Sequence, residues 1–403
     1  MLDSAYNWAA VEDRLPGVEM QRAWEEAVGG RDASDLVSGV TDALGIVPPL
    51  YAQSVLGSPE SWAPWRRFSE FELLLPWRPL RAARYLADVL MISVPLTAPA
   101  WLPAALTWPF WHPTVIEQRP DHEGSFTSHP RERWFFINGI MTNASVAHLN
   151  AAYLAFLFHR PITLIQNSTG GALEDLIECA LDKAFGQTGE AATKAVPAIY
   201  DALKDPAKDR VVVVAHSQGT IIASVVLRFL SQLYPRTDRP PAMLSAEPDA
   251  ALAEDMPLDP RDFDPLSDAE VAKLELYCFA NCATRMPYLN PDFLGRPRPW
   301  IESYGNEHDV VARLGVLAPN PAERSVHIDG PRYARPGAWG HLLNEHYLRG
   351  IEQAQRPGRK RGPAHESAEP FVLLDDARAA DATVPRLYRY LNGGSPRDSR
   401  RGS

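Results

Sequence analysis

Four consecutive valines, Val211 to Val214, make a run with no polar alternation. β-Branched side chains suit a pleated backbone, and only a strand covered on both faces is apolar on both sides, so the run predicts a central strand of a parallel sheet. Directly after it the period changes. Ile222, Val225, Val226 and Phe229 recur at helical spacing, which leaves Ser217, Gln218 and Gly219 in a short gap between strand and helix. Upstream, Trp134 to Ile137 predicts a second buried strand that breaks at Asn138-Gly139. Asn143 to His159 carries a helical pattern (Val146, Leu149, Ala152, Tyr153, Phe156, Leu157), and Pro161 to Ile165 reads as the next strand, ending at Gln166 to Gly171. Asp175 to Tyr200 reads as one or two helices. Downstream, Ser267-Asp268-Ala269-Glu270 has capping-box spacing for a short helix, Lys273 to Ala280 resembles a strand, and Trp300 to Val311 gives a further strand with its exit loop. Strands and helices alternating in this way predict the α/β class: a doubly wound, mostly parallel sheet with helices on both faces and right-handed crossovers.

Around this core, residues 130 to 353, lie stretches of other character. Residues 1–129 read as a helical extension rich in Pro and Trp (Trp62, Pro64, Trp65, Pro76, Trp77, Pro79). Within it, Val89 to Trp111 carries no charged residue and approaches the length of a bilayer-spanning helix. Pro95, Pro99, Pro103 and Pro109 would each remove a helical hydrogen bond, which opposes a continuous span. Trp101, Trp108, Phe110 and Trp111 leave two other readings, a buried or lid-like packing element and a peripheral contact with a membrane surface. Pro235 to Pro265, crowded with prolines and aspartates, reads as an insertion, either a mobile cover or a solvated loop. After residue 353, Arg356 to Pro363 is a basic, breaker-rich linker, and residues 354–403 read as a flexible tail with one short ordered candidate at Val384 to Leu391.

Composition narrows the class further. With 403 residues and 45% hydrophobic content the chain can bury a large core. Its 50 acidic against 40 basic residues, a net charge of -10, argue against a nucleic-acid partner, which needs a clustered positive field. Three cysteines, Cys179, Cys278 and Cys282, show no C-x-x-C spacing and read as reduced, buried thiols. The first residues have neither a positive nor an apolar signal region, so the expected location is cytoplasmic, with membrane association left open by residues 89–111.

The candidate chemistry centres on the gap after the valine strand. Ala215-x-Ser217-x-Gly219 is close to the G-x-S-x-G nucleophile elbow, where small residues flank a serine at a sharp, strained bend and lift its hydroxyl towards solvent. The backbone N–H of Gln218 would then face the oxygen of an attacked carbonyl at the positive end of the following helix. An ordinary helix N-cap would also use a serine here.

At these residues the chain resembles the α/β-hydrolase fold, specifically its lipase and esterase branch, many of whose members carry A-H-S-Q-G or G-H-S-Q-G. The resemblance covers roughly residues 130 to 350. It implies that Asn138-Gly139-Ile140 occupies the place of the family's H-G-x motif, with Asn for His, which makes the N–H of Ile140 the second oxyanion donor; a plain strand-ending turn is the alternative. Asp309 before Val310 resembles the D-x-V pattern of lipase acids, with Glu307 as competitor and an N-cap for the next helix as the other role. The fold's Ser, Asp, His order leaves His327, His341 and His346 as candidate bases. His341 follows Gly340 at a helix start and leads, because a loop-to-helix position lets an imidazole face Ser217, whereas His346 lies inside the helix. His216 resembles the family's elbow histidine, which packs beside the site without taking the proton.

The resemblance thus implies a serine hydrolase cleaving carboxylic esters through Ser217, His341 and Asp309, on a small-molecule or lipid ester and without metal or cofactor. An acyltransferase or thioesterase on the same three residues, and a catalytically silent binding protein on the same fold, are the other readings.

Overall fold

The computed structural model describes residues 56–57, 66–71, 94–97, 110–111, 115–118, 129–139, 142, 144–167, 190–234, 258–286, 297–318, 326–354, 370–374 and 384–396. In chain order the strands are β1 (Val94–Thr97), β2 (Phe110–Trp111), β3 (Val115–Gln118), β4 (Glu132–Ile137), β5 (Ile162–Ile165), β6 (Arg210–His216), β7 (Leu274–Phe279), β8 (Arg285–Met286), β9 (Trp300–Asn306), β10 (His327–Ile328), β11 (Arg332–Arg335) and β12 (Val372–Leu373). Three long helices connect them: α1 (Ala144–Phe158), α2 (Glu190–Lys204) and α3 (Gln218–Gln232).

Eight of these strands form one sheet in the order β12-β11-β9-β7-β6-β4-β5-β3. The six inner strands run parallel, and an antiparallel strand closes each edge, β3 on β5 and β12 on β11. The valine run lies in the middle. Val211 to Val214 pair with Arg133 to Phe136 of β4 on one side and with Leu274 to Tyr277 of β7 on the other. Because strand side chains alternate, Val211 and Val213 join Phe135 and Ile137 beneath α2 and α3, while Val212 and Val214 join Trp134 and Phe136 beneath α1. Both faces are covered by helices, which is why the run has no polar position. The α/β expectation therefore holds as a mostly parallel sheet with helices on both faces.

The order of the strands also creates a crevice. From β4 the chain moves out to β5, then returns to place β6 on the other side of β4, so the loops leaving β4 and β6 diverge at their carboxyl ends. In open α/β sheets such a reversal is where ligands bind.

Several boundaries differ from expectation. β3 lies in the stretch read as a separate extension, yet it is an edge strand of the main sheet. In the uncharged run the described parts are β1 and β2, a short parallel pair. Among the described residues no helix is long and apolar enough to cross a membrane. Most of the Pro-rich insertion lies outside the described residues, as does the first part of the helical stretch expected before Tyr200. The end of the insertion is anchored: Phe263 meets the rings of Tyr200 at 5.0 Å and Phe229 at 5.1 Å. The capping box is present, with Ser267 and Glu270 bonding each other's backbone. Cys278 and Cys282 are buried and form no disulfide, and Cys179 lies outside the described residues.

The clearest correction concerns the C-terminus. Residues 354–403 read as a flexible tail with one ordered candidate at Val384 to Leu391; the 3-10 segment Arg386–Gly393 falls on that candidate and packs Leu387, Tyr390 and Leu391 into the core under α1 and β4, while β12, outside it, pairs with β11. Physical necessity explains the docking. Glu275 and Glu302 are buried on adjacent parallel strands, where Tyr277 and Tyr304 supply one hydroxyl donor each and leave further acceptor capacity to be filled. Arg386 donates to Glu275 at 2.8 Å and Tyr390 donates to the same carboxylate at 2.7 Å. The backbone N–H groups of Arg386 and Leu387 donate to Glu302 at 2.6 and 3.2 Å. Removing residues 384–403 should therefore strip two buried carboxylates of Arg386, Tyr390 and two backbone donors and lower stability by about 3–5 kcal/mol, since breaking a buried ion pair costs that much. Urea unfolding measures this, and an unchanged midpoint in the truncated chain would show that the segment is dispensable.

Candidate active site

At the end of β6 the backbone turns sharply. Ser217 has φ 56 and ψ -129, a left-handed conformation that costs a side-chain-bearing residue about 1–3 kcal/mol. It stands at the N-cap position of α3, yet its side chain makes no capping bond, so the N-cap reading fails. The bend is held by Ser217 N–H donating to the Phe279 carbonyl at 3.0 Å and by Thr220, whose N–H and hydroxyl donate to the Ser217 carbonyl at 2.8 and 2.7 Å.

Two glycines allow the β4 loop to press against this bend. A Cβ on Gly219 would come within 2.8 Å of the Asn138 carbonyl oxygen and closer still to that of Ile137. A Cβ on Gly139 would come within 2.5 Å of the Ser217 Cβ and 3.1 Å of its Oγ. One expectation is corrected here: the hydroxyl is not lifted into solvent, because Ser217 is only 1% exposed, with the β4 loop lying over it.

Asn138 organises that loop. Its amide donates to the carbonyls of Gly139 and Asn167, each at 3.0 Å, and its oxygen accepts the Asn167 N–H at 2.7 Å. Asn167 in turn donates from its side chain to the Gln218 amide oxygen at 2.6 Å. The loops leaving β4 and β5 and the first residue of α3 are thus tied together. Ile140 lies outside the described residues, so its place relative to Ser217 is not described.

The candidate acid and base, Asp309 and His341, lie on the loops after β9 and β11. His341 donates from Nδ1 to Asp309 Oδ2 at 2.8 Å, which leaves Nε2 as the proton acceptor. Tyr347 donates to the same carboxylate oxygen at 2.6 Å, and its own oxygen accepts the Asn306 N–H at 3.1 Å. Asp309 also caps the short helix Val310–Arg313, accepting the Val311 N–H at 2.9 Å through Oδ1. Asp309 thus caps the helix through one oxygen and bonds the imidazole through the other. Burial acts to lower the His341 pKa, but the adjoining Asp309 charge and hydrogen bond outweigh it and hold the imidazole above its ordinary value.

His216 brings this pair to the elbow. Its Nε2–H donates to the His341 carbonyl at 2.8 Å, and the two rings lie 4.6 Å apart. His216 precedes Ser217 directly, so the His341 ring packs on the residue next to the strained serine. Burial, with the charge of His341 next, drives His216 well below the ordinary histidine value, in keeping with a spacer that stays neutral.

The competing candidates are placed elsewhere. Glu307 accepts the Gly337 N–H at 2.6 Å. His327 is exposed on β10 beside Asp329, 3.5 Å away. His346 is buried in the π-helical turn Leu343–Leu348, accepts the Leu342 N–H at 3.0 Å and packs against Phe71. Sequence reading missed Asn167, Tyr347 and Asn306. Each is a common polar residue beside a motif, and only its spatial partner distinguishes it.

No family model and no curated protein matches the chain.

The buried histidines make acid stability testable. Burial, reinforced by Arg335 and His341, pushes His346 down to about 3, whereas in the unfolded chain a histidine titrates near 6.5. As pH falls through that window the unfolded chain takes up a proton that the folded chain refuses, so stability present above about 6.5 is progressively lost. Urea midpoints measured between about pH 7 and pH 4 should fall for the native protein and fall less steeply for His346→Gln. Parallel profiles would remove His346 from the account.

Proposed function

We propose that the chain is a serine hydrolase of carboxylic esters with the α/β-hydrolase fold, of the lipase and esterase kind. The observation that carries this reading is the Asp309–His341 hydrogen bond, which fixes the tautomer with Nε2 as acceptor, on an imidazole packed against His216, the residue before a serine in strained left-handed backbone at the head of a helix.

The chemistry follows from these groups. Ser217 Oγ attacks the ester carbonyl carbon while His341 Nε2 takes the hydroxyl proton, and Asp309 stabilises the resulting imidazolium without itself accepting a proton. Negative charge builds on the former carbonyl oxygen. The N–H of Gln218, at the positive end of α3, and the N–H of Ile140 are the proposed donors to it. Collapse of the tetrahedral intermediate breaks the ester C–O bond, and the imidazolium gives its proton to the departing alkoxide. A water then attacks the acyl-enzyme with His341 as base, releasing the acid and restoring Ser217. Since Ser217 is buried, a substrate reaches it only when a covering segment gives way, which suits a small or lipid ester admitted through an opening cover.

A fluorophosphonate probe should label the native protein and not Ser217→Ala, and p-nitrophenyl esters of graded chain length should be hydrolysed only with Ser217 present. A native chain that stays unlabelled, or a Ser217→Ala variant with full turnover, would sink the reading. Asp309→Asn should retain the fold and lose about 10³–10⁴-fold in kcat, because the asparagine no longer fixes the base tautomer. In Gly139→Ala the new methyl group must displace either the Ser217 side chain or the β4 loop. Its expected loss is about 10²-fold in kcat, the scale of a one-ångström misplacement, and undiminished turnover would show that this close approach is not needed.

A further inference from the structure

Residues 66–71 belong to none of the strands or long helices, yet they meet the loop that bears His341. Glu70 is buried, and its carboxylate accepts three hydrogen bonds: from Asn344 N–H at 3.1 Å, from Glu345 N–H at 3.0 Å and from the Asn150 side chain on α1 at 3.0 Å. The first two donors head the π-helical turn Leu343–Leu348, where backbone N–H groups have no partner inside the helix and the dipole favours negative charge. Leu342 occupies the N-cap position and supplies no side-chain bond. Glu70, 274 positions earlier in the chain than Asn344, supplies the capping that the local sequence lacks.

The neighbours of Glu70 fasten the same turn. Asn344 donates from its side chain to the Phe68 carbonyl at 3.0 Å, and Arg349 donates to the Arg67 carbonyl at 2.6 Å. Phe68 stacks on Tyr153 of α1 at 5.1 Å, and Phe71 meets the His346 ring edge-on at 6.1 Å. The charged groups around Glu70 are Glu345, His341 and, through Glu345, the cations Arg66 and Arg349, which hold the Glu345 carboxylate at 3.5 and 3.1 Å. The turn so fastened begins two residues after His341 and carries Tyr347, the second donor to Asp309.

We propose that Glu70 is a positioning residue that fixes the turn following His341 and so holds both His341 and Tyr347 on Asp309. The proposal rests on the reading of His341 as the base of a hydrolase. It makes the 66–71 segment a working part of the site rather than an appendage. Burial pushes the Glu70 carboxyl up to about 7, against the pull of its two backbone donors, and its negative charge contributes to raising His341. Both effects act across the same short stretch of structure.

The test compares full-length Glu70→Gln and Glu70→Ala with the native chain. Titration of the His341 ring by NMR, assigned through His341→Asn, should show its midpoint moved to lower pH in Glu70→Gln, because a negative charge that helps to raise the imidazole has been removed and the turn beside it loosened. Ester turnover by Glu70→Ala should fall roughly 10–100-fold in kcat with KM unchanged, and Glu70→Gln, which keeps one acceptor, should recover part of that loss. If Glu70→Ala fails to fold, Glu70→Gln carries the test alone. An unmoved His341 midpoint with native turnover in folded Glu70→Gln would overturn the proposal, since a purely structural cap leaves both unchanged. Absence of any turnover or fluorophosphonate labelling in the native chain, with the His341 midpoint still moving in Glu70→Gln, would instead remove the hydrolase reading and leave the coupling of Glu70 to His341 standing.

Discussion

Two backbones pressed together at the carboxyl ends of β4 and β6 set the arrangement of the site. Gly219 lies against the carbonyls of Ile137 and Asn138, and Gly139 lies against Ser217. Neither approach tolerates a Cβ, and the serine between them is forced to positive φ. Such a conformation persists only where surrounding structure over-determines it. Here the determinants are the six-residue β4–β6 register, the Thr220 bonds to the Ser217 carbonyl, and the Asn138–Asn167–Gln218 chain that ties the loops together. Strain at the serine is thus sustained by the most deeply buried part of the sheet.

Polar groups in the interior are satisfied by segments from far away in sequence. Asp309 divides its two oxygens between a helix cap and the pair His341 and Tyr347, so one buried carboxylate fixes both the loop and the imidazole. At the opposite ends of the strands, Glu275 and Glu302 receive Arg386, Tyr390 and two backbone N–H groups from the C-terminal segment. Near the site, the N-terminal segment caps the turn after His341 through Glu70. Both segments outside the strand–helix core therefore answer the same demand. A buried charge or an open helix end must find partners, and sequence distance sets no limit on where they come from.

Much was readable in advance. The four valines, the change of period at Ser217 and the capping box at Ser267 are local statements, in which side-chain shape and spacing leave few options, and each appears in the structure where the pattern put it. Asp309 and His341 were also nameable, because strand-end position and chain order restrict the candidates. The loop-to-helix position put His341 ahead in the sequence, but that its ring bonds buried Asp309 while His346 accepts a backbone N–H and His327 lies exposed beside Asp329 is a property of three-dimensional placement.

By itself, then, the sequence determined the alternation of strand and helix, the covered central strand and the sharp small-residue turn, since these follow from short-range sterics and periodicity. Tertiary structure alone decided that the serine is enclosed, that Asn167, Tyr347 and Glu70 join the network, and that β12 and the side chains of Arg386 and Tyr390 dock on the main sheet. The physical reason is that burial and hydrogen-bond satisfaction are settled between surfaces, and no stretch of chain carries a record of the surface that will cover it.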